Sequence, residues 1–370
     1  MIPEFWQNKR VFLTGHTGFK GSWLCLLLSS FGARLAGYAL DPPTQPNLFS
    51  LARVGEFVDS TVGDIRDLNA LTESMRCFEP EFVIHMAAQT VVLRSYEDPV
   101  ETYSTNVLGT VNTLEAVRRL RRPCRVIIVT TDKCYENKEW VWGYRESDVL
   151  GGHDPYSNSK ACAELVGQSY RDSFFPPSRF EEHSVGIASA RAGNVIGGGD
   201  WTPRELIPDA VTAFLRAQPV VLRHPDAVRP WQHVLDCLSG YLSLAEALAA
   251  DARTYSGEWN FGPDEAEARS VSGVVESLAS HWGVERPWVS DPASHPHEDQ
   301  QLTLDATKAA RYLGWRCRLA IDDAVEWVAR WYSDYHGGKD ARDLCSEQIG
   351  QYVRLTTHKQ TQHSGRVRPT

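Results

Sequence analysis

The chain is 370 residues long, with 42% hydrophobic, 23% charged and 10% aromatic residues. That composition is globular and excludes a fibrous or wholly disordered protein. A net charge of −9, from 38 basic and 47 acidic residues, argues against nucleic acid or an anionic membrane as partner. It leaves room for an anionic small molecule held by a few local arginines. No window reaches ~18 uninterrupted apolar residues, and Met1-Ile2-Pro3-Glu4-Phe5-Trp6 lacks the basic start and apolar run of a leader. A cytoplasmic protein is expected. The eight cysteines form no Cys-x-x-Cys pair, so reduced thiols and no metal site are expected.

In chain order, short apolar runs at 10–13, 34–40, 56–61, 82–86 and 125–130 read as strands, with a sixth at 184–189. Helical runs lie between them. One is strongly apolar at 23–31. Another spans 99–120, where Val100, Tyr103, Val107, Val111, Leu114 and Val117 repeat at helical spacing. A third runs over 155–175, with Asp154 as N-cap and Pro155 in the first turn. Further helices are expected near 206–217, 233–249, 270–282 and 320–336. Strand alternating with helix predicts an α/β fold, a doubly wound parallel (Rossmann) sheet over 1–190 to which 233–260 return. A smaller C-terminal α/β substrate domain is expected from 191–232 and 261–350. His295-Pro296-His297-Glu298 reads as a hydrogen-bonded turn rather than a metal site. The stretch 352–370, with Arg354, Lys359, Arg366, Arg368 and no acids, reads as a disordered basic tail.

Thr14-Gly15-His16-Thr17-Gly18-Phe19-Lys20-Gly21 joins the first strand to the first helix. Glycines at this spacing allow a tight turn and let a pyrophosphate approach the helix N-terminus, so Gly15, Thr17, Gly18, Phe19 and Gly21 are expected around a dinucleotide. Asp41, 20 residues after Gly21, can accept the ribose 2′-hydroxyl and repel a 2′-phosphate, which favours NAD. Asp64 and Ile65, after the third strand, are expected to flank the adenine.

Tyr156 and Lys160, four apart, share one helix face, where an ammonium would favour the phenolate. Thr131, Asp132 and Lys133 follow the fifth strand, and residues at the carboxyl ends of parallel strands face the ligand crevice. These five are the expected catalytic set.

At these residues the chain, over about 5–335, resembles the extended short-chain dehydrogenase/reductase family. Within it, the strings Asp132-Lys133-Cys134-Tyr135-Glu136-Asn137, Gly151-Gly152-His153-Asp154-Pro155-Tyr156-Ser157, Arg191 to Trp201 and Arg229-Pro230-Trp231-Gln232-His233-Val234 are similar to those of the CDP-glucose 4,6-dehydratase group. One departure is Arg204-Glu205, where an Asp-Arg pair is expected before Leu206-Ile207-Pro208. No substrate contact is therefore assigned to Arg204. The resemblance implies a redox-neutral dehydration of CDP-glucose with NAD. Tyr156 would take the 4-hydroxyl proton and Thr131 would hold the 4-oxygen. Asp132 would protonate the leaving C6 hydroxyl, and Lys133 would stand in for the glutamate base of the dTDP-glucose enzymes. Ala87, Gln89 and Asn106 join the expected cofactor set. Arg191, Asn194 and Arg229, with His233, are expected at the diphosphate, and Arg94 and Ser95 at the sugar. A homodimer or homotetramer through the helices near 99–120 and 155–175 is implied. The rivals are a C4-epimerase or decarboxylase of the same fold and, more remotely, a non-catalytic NAD-sensing module.

Overall fold

The computed structural model describes residues 1–293 and 299–360. The run His295 to Glu298 and the residues beyond 360, Arg366 and Arg368 among them, lie outside the described residues. Seven strands form one parallel sheet: β1 (Arg10–Thr14), β2 (Arg34–Ala39), β3 (Val58–Val62), β4 (Phe82–His85), β5 (Cys124–Val129), β6 (Val185–Ala192) and β7 (Gly257–Phe261). Their order is β7-β6-β5-β4-β1-β2-β3. The central strands are covered on both faces, which is why Val11, Phe12 and Leu13 are all apolar and all fully buried. The order reverses between β1 and β4, and that reversal opens a crevice at their carboxyl ends.

The helices named below are α1 (Phe19–Ser30), α2 (Leu68–Phe78), α3 (Pro99–Tyr103), α4 (Gly109–Leu120), α5 (Pro155–Phe174), α6 (Leu206–Leu215), α7 (Val234–Ala250), α8 (Val271–Ser280), α9 (Ile321–His336) and α10 (Ala341–Gln360). Helix α1 begins at Phe19, four residues before the apolar run, so the glycine turn feeds it directly. The single helix expected over 99–120 is interrupted by a π-helical turn at Ser104–Leu108. The extra residue in that turn rotates Asn106 inward, where it is buried. Three two-stranded ribbons join α6, α8 and α9 beyond the sheet: Val195–Ile196 with Gln232–His233, Val228–Arg229 with Arg269–Ser270, and Val220–Leu222 with Trp288–Ser290. One apolar cluster runs from Leu13 and Ile84 through Trp231 and Leu238 to Val275 and Val328, so these elements share a core with the sheet.

The expected disorder from 352 is corrected: α10 continues to Gln360. Leu344, Cys345, Ile349 and Tyr352 are all buried, a helical spacing that packs on α1. Reading the tail by charge from 352 onward misses that period because most of it precedes the boundary. Tyr352 donates its hydroxyl to Asp236 Oδ1 at 2.7 Å and lies 2.9 Å from Ser239 Oγ. Burial pushes the Asp236 carboxyl up to about 6, against its hydrogen bonds. Tyr352→Phe removes a partner from this buried carboxyl and is expected to lower unfolding stability by about 1–3 kcal/mol, read by urea denaturation.

Candidate active site

The glycine turn is a cradle that side chains would fill. Gly15 has φ +76°, and a Cβ there would stand 2.7 Å from the Ala87 nitrogen. A Cβ on Gly21 would meet the Gly15 carbonyl oxygen at 2.2 Å, so that position must stay bare for helix and turn to touch. At Gly18 nothing lies closer than 3.5 Å, and no side chain caps α1 there. The first amides of α1 therefore open onto the crevice, a fit for the pyrophosphate of a dinucleotide. Phe19 packs toward Gly197, and Thr17 donates to the Leu40 carbonyl at 2.8 Å. Asp41 is exposed just beyond β2. The Asp64 carboxyl is lowered from its ordinary value because Arg66 chelates it. Ile65 is buried, filling the space above Gly109.

A buried hydrogen-bond chain ties this turn to the helix carrying Tyr156. The Met86 and Ala87 amides donate to Thr14 Oγ1 at 3.1 and 3.2 Å, and Thr14 lies 2.7 Å from His85 Nδ1. His85 Nε2 is 3.1 Å from Thr110 Oγ1, whose own proton goes to the Asn106 carbonyl. With that proton committed, Nε2 must carry the ring hydrogen and Nδ1 must accept. Asn106 then donates to the Gln89 carbonyl and to Ser159 Oγ, while its Oδ1 accepts the Gln89 amide. Ser159 finally donates to the Tyr156 carbonyl at 2.7 Å. Sequence reasoning missed Thr14, His85 and Thr110, because single polar residues in apolar runs carry no periodic signal. The Gln89 side chain is occupied too, bonded to Val91 and Thr102.

Asp154 caps α5 by accepting the Ser157 amide at 2.9 Å and so presents Tyr156 to the end of β5. Thr131 stands near the Tyr156 hydroxyl and donates to Asp132 Oδ1 at 3.0 Å. Asp132 is buried, its Oδ2 has no hydrogen-bond partner among the described residues, and burial shifts its carboxyl upward. Lys160 is also buried; its ammonium donates to the Val129 carbonyl at 3.2 Å, and burial with the nearby Lys20 lowers it to about 8. The expectation that Lys160 keeps the phenol acidic is corrected for the chain alone. Burial raises Tyr156 well above its ordinary value, with the nearby Thr131 acting in the opposite sense. Desolvation here outweighs a cation aimed at another group.

Beside this cluster lies a cavity lined by Leu93, Lys133, Asn194, Glu205, Arg223 and Arg229. Trp231 also lines it, its indole N–H bonded to the Arg269 carbonyl. Arg229 donates to the carbonyls of Val228, Asp299 and Gln300. Arg204 reaches the same cavity and bridges to Glu97 at 2.7 Å.

Four expected substrate contacts lie elsewhere and are corrected. Arg191 is 1% exposed, pairing with Glu164 at 2.8 Å and donating to Tyr135 and the Glu146 carbonyl. His233 is enclosed between Trp23 and Trp327, and its Nδ1 accepts the Leu235 amide. Arg94 turns outward to Glu101, and Ser95 bonds back to the Val92 carbonyl. Strand alternation sends Arg191 to the far face of β6, a register no motif string encodes. Of the residues missed, Glu205 had one signal, the reversed Arg204-Glu205 order; Arg223 had none.

A crevice of this kind, with tyrosine, lysine and threonine converging beside a glycine turn at the sheet's reversal point, belongs to the short-chain dehydrogenase/reductase class. Within it, the model of the GDP-mannose 4,6 dehydratase family matches residues 12–328, and the chain belongs to that family. It is 49% identical over 354 residues to a CDP-glucose 4,6-dehydratase from Salmonella typhimurium, covering 96% of this chain and 99% of that one. A solved dTDP-glucose 4,6-dehydratase from Streptomyces venezuelae, with NAD and TYD bound, superposes with a TM-score of 0.76 at 25% identity, covering 90% of this chain and 99% of that one. A UDP-glucose 4-epimerase from Thermotoga maritima, solved with UDP-glucose, gives 0.75 at 21% identity, covering 88% and 99%.

The Arg191–Glu164 pair is structural in this geometry. Arg191→Met, which leaves Glu164 buried without its counter-charge, is expected to cost about 3–5 kcal/mol of stability. Adding Glu164→Leu should recover most of that in urea unfolding.

Proposed function

We propose that the chain is an NAD-dependent hydro-lyase that converts CDP-glucose to CDP-4-keto-6-deoxyglucose. The observation that carries the reading is the Asp132-Lys133 turn. A buried carboxyl near Tyr156, with an oxygen unpartnered among the described residues, is followed in the chain by an amine that lines the cavity. Loss of water across C5–C6 needs an acid and a base on adjacent carbons; epimerisation at C4 needs neither. The 49% identity to a CDP-glucose 4,6-dehydratase supports the cytidine nucleotide.

Gly15, Gly18 and Gly21 would hold the cofactor, with Asp41 at its ribose and Asp64, Ile65 and Ala87 along its path. NAD supplies, when bound, a place for a hydride to rest and a positive charge beside Tyr156 and Lys160. Tyr156 takes the proton of the hexose 4-hydroxyl, with Thr131 bonded to that oxygen. The 4-ketone acidifies the C5 hydrogen, and Lys133 removes it as a proton. Asp132, whose carboxyl burial shifts toward the protonated form, gives its proton to the C6 hydroxyl as the C6–O bond breaks and water leaves. Lys133 returns a proton to C5 when hydride returns to C6. Arg229, Arg223 and Asn194 are assigned to the diphosphate, since arginine can bind phosphate oxygens in pairs.

Among the described residues no helix is long and apolar enough to cross a membrane. With eight cysteines all unpaired, we place the protein in a reducing cytoplasm. We assign a homodimer to the face formed by α3, the π-turn and α5, where Val100 (77% exposed), Leu108 (46%) and Leu165 (52%) stand out.

Two measurements check this reading. Incubated with NAD and CDP-, dTDP-, UDP- or GDP-glucose, the protein is expected to form a 4-keto-6-deoxy product mainly from the CDP sugar. In D2O that product should carry deuterium at C5, and Lys133→Ala should lower its formation by on the order of a hundredfold or more. Unchanged product from Lys133→Ala removes that residue as the base. Separately, Leu165→Glu is expected to halve the mass seen by light scattering without unfolding the chain.

A further inference from the structure

We propose that Glu205 is a positioning residue for this reaction and acts through Lys133. Its carboxylate receives the proton that Lys133 takes from C5 and hands it back, so amine and carboxyl work as one proton-sharing pair. The inference rests on the dehydratase reading above.

The two groups reach the cavity from different elements. Lys133 comes from the short 3-10 turn after β5, and Glu205 is the residue that starts α6. Both line the same cavity. Among the described residues neither side chain has a hydrogen-bond partner, which in a polar cavity marks groups free to act on something that enters. The surroundings of Glu205 are unusual for a carboxylate. Burial, Asp200 and Asp209 disfavour its charged form; Lys133 and Arg223 favour it. Tyr156 is close enough to feel that charge. The balance pushes Glu205 up to about 7, so it changes charge near neutrality. A surface glutamate, titrating near ~4.3, would stay charged and simply pin the ammonium. A carboxyl titrating near neutrality can both accept a proton and release it within one turnover.

The transfer balances without a co-reactant. No hydrogen bond or ion pair joins the two among the described residues, so the flexible Lys133 side chain must swing across the cavity to Glu205; an N–H bond of its ammonium then breaks as an O–H bond forms on Glu205, leaving a neutral amine and a neutral carboxyl. The reverse step restores both before C5 is reprotonated.

The test begins on the full chain without cofactor or substrate. Infrared difference spectroscopy should show a carboxyl band titrating near 7, identified by its loss in Glu205→Gln. In Lys133→Met the same band should titrate higher, because burial and the two aspartates then act unopposed by that ammonium. With NAD and CDP-glucose in D2O, Glu205→Gln should slow deuterium entry at C5 by on the order of a hundredfold. It should also abolish the rise in rate with pH through that midpoint, while Glu205→Asp should keep a rise. A band unmoved in Lys133→Met overturns the proposal, as does a Glu205→Gln protein with wild-type exchange rate and pH profile. A wild-type protein that makes no 4-keto product from any nucleotide hexose overturns the dehydratase reading instead, and the spectroscopic coupling is read independently of it.

Discussion

The crevice depends on one buried hydrogen-bond chain, from Thr14 through His85, Thr110 and Asn106 to Ser159. Each link sits on a different element: the end of β1, the end of β4, α4, the π-turn and α5. Together they hold the glycine turn at a set distance from Tyr156. Burial drives His85 down to about 3, so the ring stays neutral and the chain keeps one direction at any physiological pH. An unmade bond in such surroundings costs about 1–3 kcal/mol, so a slip at one element is felt at all of them. The π-turn follows from the same constraint, since Asn106 must meet Gln89 and Ser159 at once.

Desolvation then sorts the reacting groups. It moves Asp132, Tyr156 and Glu205 up and Lys160 down, in each case toward the neutral form. Proton transfer needs groups whose two charge states lie close in energy, and a water-poor crevice supplies that condition without a separate device for each residue. The buried Arg191–Glu164 pair shows the other outcome. Thr130 and Ser189 donate to the same carboxylate, and the pair holds β6 against α5.

Much of this was legible in residue order. The first five strands, the glycine turn and the Asp154-capped helix were each announced by local signals: apolar runs, spacing, a cap and a proline. The Thr131, Asp132, Lys133 and Tyr156 cluster followed from a topological rule, that ligands meet parallel sheets at the strands' carboxyl ends. The substrate residues were read less well. Arg191 and His233 lie in the strings most similar to the dehydratases, yet a strand's alternation and a helix cap turn both into the core. A string shows which residues stay together along the chain; it does not show which face they take.

By itself, then, the sequence determined most of the elements, the parallel sheet and the chemical identity of the groups at the β5 end, because these depend on short-range periodicity and on which side chains are present. The tertiary structure decided which groups share the cavity, which proton each holds and which arginine is buried structure. Those outcomes depend on burial and on charges brought together from distant segments, such as Glu205 and Lys133 lining one cavity, and neither quantity exists until the chain has folded.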